Sequence, residues 1–348
     1  MCGAITSRGH EAILIVADGN GDEVCDGIKI FDVGSYHTRL GRIWNAPISI
    51  FHKALTFDVD LFHLHDPELI PIGLKLKKLG RRVIFDSHED VPQQMLSKPY
   101  LNRPLLWGIS QAARIYEILA CKQFDGVIGA TPFLRRKFEK INPRSIDINN
   151  FPLVDEFANT VEWSQKRLVV CYVGGIDRVR GIGELVQAMG QLKSHARLGL
   201  AGAFGQLTLK DEVEEMPGWQ RTDALGFLSR AGVRDLLLTS MAGLVTLHPL
   251  SNYIDAFPVK MFEYMSAGIP VIASDFPVWR EIILGNDCGL LVDPLDSEQI
   301  AEAIDYVVTH PDEARRMGLN GRKAILEKYN WKTEEEKLMQ FYQEILET

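Results

Sequence analysis

Residues 257–281 read FPVKMFEYMSAGIPVIASDFPVWRE. Val259–Ala267 carries apolar residues at helical spacing, and IPVIAS (269–274) is a short run that is apolar nearly throughout. A helix feeding a strand that is hydrophobic on both faces belongs to a buried parallel sheet. Pro258 stands where the helix begins, as proline at a first turn often does.

The same rhythm runs outward in both directions. EAILIVAD (11–18), DLFHLH (60–65), RVIFDS (82–87) and DGVIGA (125–130) read as strands in the first half. VVCYVGG (169–175), ARLGLAG (196–202), AGLVTL (242–247) and CGLLVD (288–293) join IPVIAS in the second. Helical patterns fall between them at Pro67–Leu79, Leu105–Lys122, Gly181–Leu192 and Ser297–Val308, and a last one covers Trp331–Leu346. Alternation of this kind predicts an α/β fold with parallel sheets. The rhythm pauses at Asn149-Asn150-Phe151-Pro152 and through a polar stretch to about Lys166. The expected domains are therefore 1–152 and 153–330, with 331–348 as a C-terminal helix crossing back onto the first.

A chain of 348 residues, 46% hydrophobic, can bury two cores without staples. No apolar run approaches the ~20 residues of a membrane span. Five scattered cysteines, at 2, 25, 121, 171 and 288, suit a reducing cytoplasm. Net charge is −8 but uneven. Residues 1–150 hold 19 Lys/Arg against 17 Asp/Glu (+2), and residues 151–348 hold 19 against 29 (−10). The acidic whole argues against nucleic acid as a partner.

The 257–281 stretch resembles the donor-site signature of retaining GT-B glycosyltransferases of the family 4, group 1 type. Asp60–Pro67 with VIFDSHEDVP (83–92) is similar to the core of that family's acceptor domain. Ala130-Thr-Pro with INNFP (148–152) is similar to its end, and Tyr172-Val-Gly-Gly-Ile with Arg180-Gly181 to the start of the nucleotide-sugar domain. The resemblance implies two Rossmann-like domains facing a cleft and metal-independent transfer of a sugar from a nucleotide-diphospho-sugar, a UDP-sugar by preference. The implied acceptor is a glycan or lipid-linked saccharide of a surface polysaccharide, such as O-antigen or capsule. The family opens with a strand and a glycine-containing loop ahead of the segment corresponding to Arg8–Val16; here Met1 falls inside the corresponding first helix. A first domain weaker than the second is the expectation.

Such a transferase must hold a diphosphate, a ribose and a breaking glycosidic bond. Lys260 and Glu263 share a helix face three residues apart. The resemblance gives Lys260 to the phosphates and Glu263 to the ribose hydroxyls. Gly174 and Gly175 follow a strand and open a helix, letting a backbone approach phosphate. By the resemblance, Arg180 stands where the family carries a phosphate-binding lysine and is the candidate cation of that loop. Gly175 stands where the family carries an arginine, and Arg178 is the candidate substitute. Asp255 precedes Glu263 as Asp-x7-Glu, where the family carries Glu-x7-Glu. It is the second catalytic candidate beside His88, which follows the strand RVIFDS and by resemblance orients the donor sugar. His65, Glu89 and Asp90 are acceptor-side candidates, and Asp66 is a helix N-cap with Pro67 in the first turn. Asp58-Val-Asp60 matches a metal-binding DxD pattern but precedes its strand, at the wrong end of a parallel sheet. No other spacing suits a metal, so neither metal nor cofactor is expected.

Two basic clusters (Lys75, Lys77, Lys78, Arg81, Arg82; Arg135, Arg136, Lys137, Lys140, Arg144) read as solvated faces or as a patch for an anionic inner leaflet. A cytoplasmic enzyme that can dock on the inner membrane face is expected. Two other readings compete: a catalytically impaired nucleotide-sugar-binding remnant, and a GT-B sugar-nucleotide epimerase.

Overall fold

The computed structural model describes residues 1–36, 38–96, 102–157 and 161–347. The polar stretch after Pro152 therefore falls partly outside the described residues, at 158–160, as does Thr348. The chain divides into two compact units, Met1–Asn149 with Glu334–Thr348, and Asn150–Thr333.

Among the described residues, the first unit builds two sheets. β1 (Ile13–Val16), β2 (Glu23–Cys25) and β3 (Ile28–Asp32) form the order β1-β3-β2, with β1 parallel and β2 antiparallel to β3. The hairpin β2–β3 turns at Asp26-Gly27, both at positive φ. That is the two-residue turn whose twist matches paired strands, and its Asp-Gly signal was missed in the sequence reading. β4 (Phe62–Leu64), β5 (Val83–Ser87), β6 (Gly126–Gly129) and β7 (Ser145–Asp147) form a second, parallel sheet in that order. Its core gathers Leu64, Val83, Phe85, Val127, Leu134 and Phe138. The helix Trp331–Leu346 belongs here for most of its length, burying Leu338, Phe341, Tyr342 and Ile345. Gly126 admits it closely: a Cβ there would lie 2.5 Å from the Phe341 ring. Glu334 accepts hydrogen bonds from the Asn149 backbone at 2.7 Å and from its side chain at 3.1 Å.

Among the described residues, the second unit builds one six-stranded parallel sheet. Its strands are β8 (Val169–Val173), β9 (Arg197–Ala201), β10 (Thr222–Gly226), β11 (Ala242–Val245), β12 (Val271–Ser274) and β13 (Gly289–Val292), in the order β10-β9-β8-β11-β12-β13. The chain winds outward from β8 on one side and from β11 on the other. The strand order reverses between these two, which is the doubly wound arrangement. Helices cover both faces, with Ile182–Gln191 and Ser297–Thr309 in one core and Val259–Ser266 in the other.

Some local expectations change. Pro67–Leu79 splits into a 3-10 turn, Pro67–Leu69, and the helix Ile70–Lys78. Asp66 takes the N-cap position, but its side chain makes no capping hydrogen bond. Asp58 and Asp60 precede β4, and Asp58 is paired with Arg81 at 3.1 Å. All five cysteines are unpaired. No helix of the described residues is long and apolar enough to cross a membrane.

Candidate functional site

In a doubly wound sheet, ligands sit at the carboxyl ends of the strands where the order reverses. Here that end belongs to β8 and β11. Gly174 follows β8 directly with φ +130, a backbone shape that L side chains avoid. A Cβ on Gly174 would lie 2.9 Å from Lys260 Nζ and 3.7 Å from Arg180 Nη1. Two cations thus converge on one glycine. A Cβ on Gly175 would make only ordinary contact, 3.6 Å from both Arg180 Cζ and Asp177 Oδ2.

Lys260 is placed by its helix, Val259–Ser266, with Pro258 as N-cap. The helix is held against β8 by Tyr264, whose hydroxyl accepts the Val173 N–H at 3.1 Å, and whose ring fills the space beside Gly243. The Lys260 ammonium lies 3.7 Å above the Tyr172 ring. That nitrogen is buried and has no hydrogen-bond partner among the described residues, although the stem of the residue is partly exposed. Burial, and then the charge of Arg180, pull its pKa down to about 7, while Glu263 pulls it back up. A buried ammonium without hydrogen bonds, beside a second cation, is costly until an anion arrives. Tyr172 supports the loop itself, its hydroxyl donating to the Gly175 carbonyl at 2.7 Å.

Glu263 is buried and its Oε1 accepts from Arg230 Nη1 at 2.6 Å. Arg230 in turn grips Glu156. The sequence reading had missed Arg230 and Glu156, because 33 and 107 residues separate them from Glu263 and no local pattern links them. Asp255 ends the short helix Ser251–Ile254, half-buried, and bonds to none of these groups among the described residues. Arg178, the candidate substitute, is exposed and paired with Glu212.

The first unit holds a second cluster, at the carboxyl ends of β4 and β5. Asp86 is 1% exposed, and neither of its oxygens has a partner at hydrogen-bond geometry. Around it stand His63 Nε2 and His65 Nδ1, each 3.4 Å from Oδ2, and His88 Nε2 at 3.9 Å. The rings of His63 and His65 stack with centroids 4.4 Å apart, and those of His65 and His88 with centroids 5.9 Å apart. Tyr342 meets His63 Nδ1 at 2.6 Å from the C-terminal helix. Burial alone would push the Asp86 carboxyl up, but the histidines outweigh it and hold it well below the usual range. Burial pushes His63 down, keeping it neutral. The structure thus brings His65 and His88 together and adds His63, Asp86 and Tyr342, which the sequence reading had left out. The signal was present as His-Leu-His: residues 63 and 65 share one face of the strand.

Glu89 and Asp90 face other duties. Glu89 accepts from Gln94. Asp90 pairs with Lys137 at 3.1 Å, and Lys137 with the buried Glu117 at 2.5 Å. Elsewhere in the basic clusters, Lys77 pairs with Asp125 at 2.6 Å and Arg135 with Asp147 at 3.4 Å. These charges are in part internal ion pairs rather than open faces.

Comparison with known proteins bears on both units. Residues 1–148 match the model of glycosyltransferase family 4, and residues 154–324 that of the glycosyl transferases group 1. The chain is 28% identical over 195 residues to an alpha-maltose-1-phosphate synthase of Mycolicibacterium smegmatis, an alignment spanning 51% of this chain and 48% of that enzyme. Its structure is similar to the sucrose-phosphate synthase of Thermosynechococcus elongatus (TM-score 0.80, 19% identity, 99% of this chain and 91% of that one). It is also similar to HepE of Anabaena solved with UDP-glucose (TM-score 0.73, 16% identity, 96% and 100%). The two matched models cover the two sheet-bearing units in order, and the solved structures share their arrangement of elements. The chain therefore belongs to the family 4, group 1 glycosyltransferases and has their GT-B fold.

Proposed function

We propose that the protein is a retaining glycosyltransferase that takes a sugar from a UDP-sugar and passes it to a glycan or lipid-linked acceptor of a surface polysaccharide. One observation carries the reading: at the strand-order reversal Arg180, paired with Asp177 at 3.7 Å, converges on Gly174 with Lys260, whose buried nitrogen has no hydrogen-bond partner among the described residues. A diphosphate supplies the missing charge. The Gly174-Gly175 backbone lets it come close, and Lys260 meets it as a point charge. Glu263 keeps Oε1 on Arg230 and offers Oε2 to the ribose hydroxyls, since a carboxylate has room for about four acceptances. His88 acts on the transferring sugar, and the leaving phosphate takes the acceptor's proton. Asp255 is a lesser contact, reaching the sugar through water. The solved relatives with UDP and UDP-glucose support the choice of nucleotide.

The acceptor side belongs to the first unit. A groove there combines apolar Leu96, Ile118 and Phe133 with Arg114, Lys122 and Arg136. Trp107 stands exposed on the helix Arg103–Cys121, which also supplies Arg114 and Ile118 to the groove. This mixture suits an anionic lipid surface, where each basic residue contributes about 1 kcal/mol. The reading is tested by incubating the protein with UDP-glucose and other UDP-sugars and following UDP release. Release that depends on an added lipid-linked or glycan acceptor, with an axial product linkage by NMR, is expected. A protein that neither binds UDP nor hydrolyses or transfers any UDP-sugar contradicts it.

A further inference from the structure

We propose that His63, His65 and Asp86 form a binding site for one divalent transition-metal ion of the zinc class, with a fourth position open to water or a ligand. This reverses the expectation, drawn from sequence spacing, that the chain holds no metal site. The three donor atoms come from the end of β4 and the end of β5, which pair in parallel with His63 opposite Ile84 and Leu64 opposite Phe85. Continuing that register sets His65 opposite Asp86 on the face that also carries His63. The donor atoms all lie within 4.8 Å of one another.

Distance separates a metal site from a plain hydrogen-bonded pair. Both imidazole nitrogens stand 3.4 Å from Asp86 Oδ2, longer than the ~2.7–3.2 Å of a good N–H···O bond. It is close to the ~3.3 Å that separates donors around a tetrahedral ion with bonds of about 2.0–2.1 Å. Among the described residues the buried Asp86 carboxylate has no hydrogen-bond partner. An ionised carboxylate in such a place calls for a cation or several donors. Two imidazoles and one carboxylate are a donor set that zinc-class ions accept.

The surroundings fit as well. The other nitrogen of His63 meets the Tyr342 hydroxyl at 2.6 Å, the outer contact that orients a ligating imidazole and fixes its tautomer. His63 is 14% exposed and His65 42%, so the site is anchored on one side and open on the other. The exposed His65 can pivot to close the set, and its open side is where a fourth ligand enters. His88, 3.9 Å from the same oxygen, stays outside the three-donor set.

The test uses the full chain, stripped with a chelator and titrated with Co2+ and then Zn2+. One Co2+ per chain is expected, with the visible absorption of a four- or five-coordinate ion that Zn2+ abolishes. His65→Gln and Asp86→Asn should both lose the band while circular dichroism shows the fold retained. Tyr342→Phe should weaken binding by about 10–100-fold. His310→Gln, at an exposed histidine stacked on Tyr306, should change nothing. If Co2+ gives no band, or if folded His65→Gln binds as tightly as the wild type, the site does not exist and Asp86 is held by its histidines alone. Should Asp86→Asn fail to fold, the His65→Gln result decides. Binding is read without a transfer assay, so its outcome is separate from that of the glycosyltransferase reading.

Discussion

The second unit gathers its six strands into one sheet wound outward from its middle, whereas the first divides seven between two sheets. The difference shows in burial. In β8 the side chains from Val169 to Tyr172 are all buried, and β11 and β12 are buried throughout. In β1 all four positions are only half-buried, and β2 is exposed throughout. A fully buried aliphatic side chain contributes about 1.5–3 kcal/mol, so a strand of four that stays half-covered forgoes several. The unit with the single sheet brings Lys260, from a helix, and Arg180 together beside Gly174. The unit with divided sheets carries its histidines on the tips of two short strands.

Several measurements can sharpen or break this contrast. The largest effect is expected from His88→Ala, which should lower transfer by about 10²–10⁴-fold, the range for loss of a positioned catalytic group. UDP affinity, which the proposal assigns to the second unit, should stay unchanged. Equal transfer rates in mutant and wild type would make His88 a surface residue only. Glu263→Ala should act the other way round, weakening UDP binding by about 1–3 kcal/mol through loss of charged hydrogen bonds. Calorimetry showing the wild-type affinity would remove Glu263 from the ribose. Hydrogen exchange should separate the units by stability, with β1 and β3 exchanging well before β8, β11 and β12. Uniform protection across all of them would show that the half-buried sheet is as stable as the continuous one.

How far the sequence revealed this differs between the units for the same reason. Apolar runs announced β1, β4, β5 and β6 in the first unit and β8, β9, β11, β12 and β13 in the second, and the helix Trp331–Leu346 was legible too. β2, β3, β7 and β10 are short or partly exposed, and their mixed composition hid them. Lys260 and Arg180 could be picked out because each sits in a local motif. What no motif could show was that Arg230 already holds Glu263, or that Lys137 ties Asp90 to Glu117. Such pairs form only when distant helices pack. Asp86 was hidden differently: inside VIFDS it reads as one more residue of a strand, and only the pairing of β4 with β5 sets it before two imidazoles.

A smaller effect concerns the unliganded protein. The folded-state pKa of Lys260 is about 7, below its ordinary 10.5. Between these values the unfolded chain binds the extra proton, so stability should rise as pH goes from 7 toward 10.5 and then level off. Below pH 7 both states carry the proton and the burial penalty is present in full. Lys260→Met should therefore raise the Tm at pH 7 and flatten this dependence. An unchanged or lower Tm would mean that the ammonium is better solvated than its burial implies.

The central claim is that a diphosphate completes the pair formed by Lys260 and Arg180. At pH 8 most Lys260 side chains are neutral in the free protein, and a bound diphosphate should recharge them. UDP binding measured by calorimetry at pH 8, in two buffers of different ionisation enthalpy, reads that proton directly. Uptake approaching one proton per UDP is expected in the wild type, with uptake abolished and affinity sharply reduced in Lys260→Met. Wild-type binding without proton uptake, together with undiminished affinity in Lys260→Met, would contradict it.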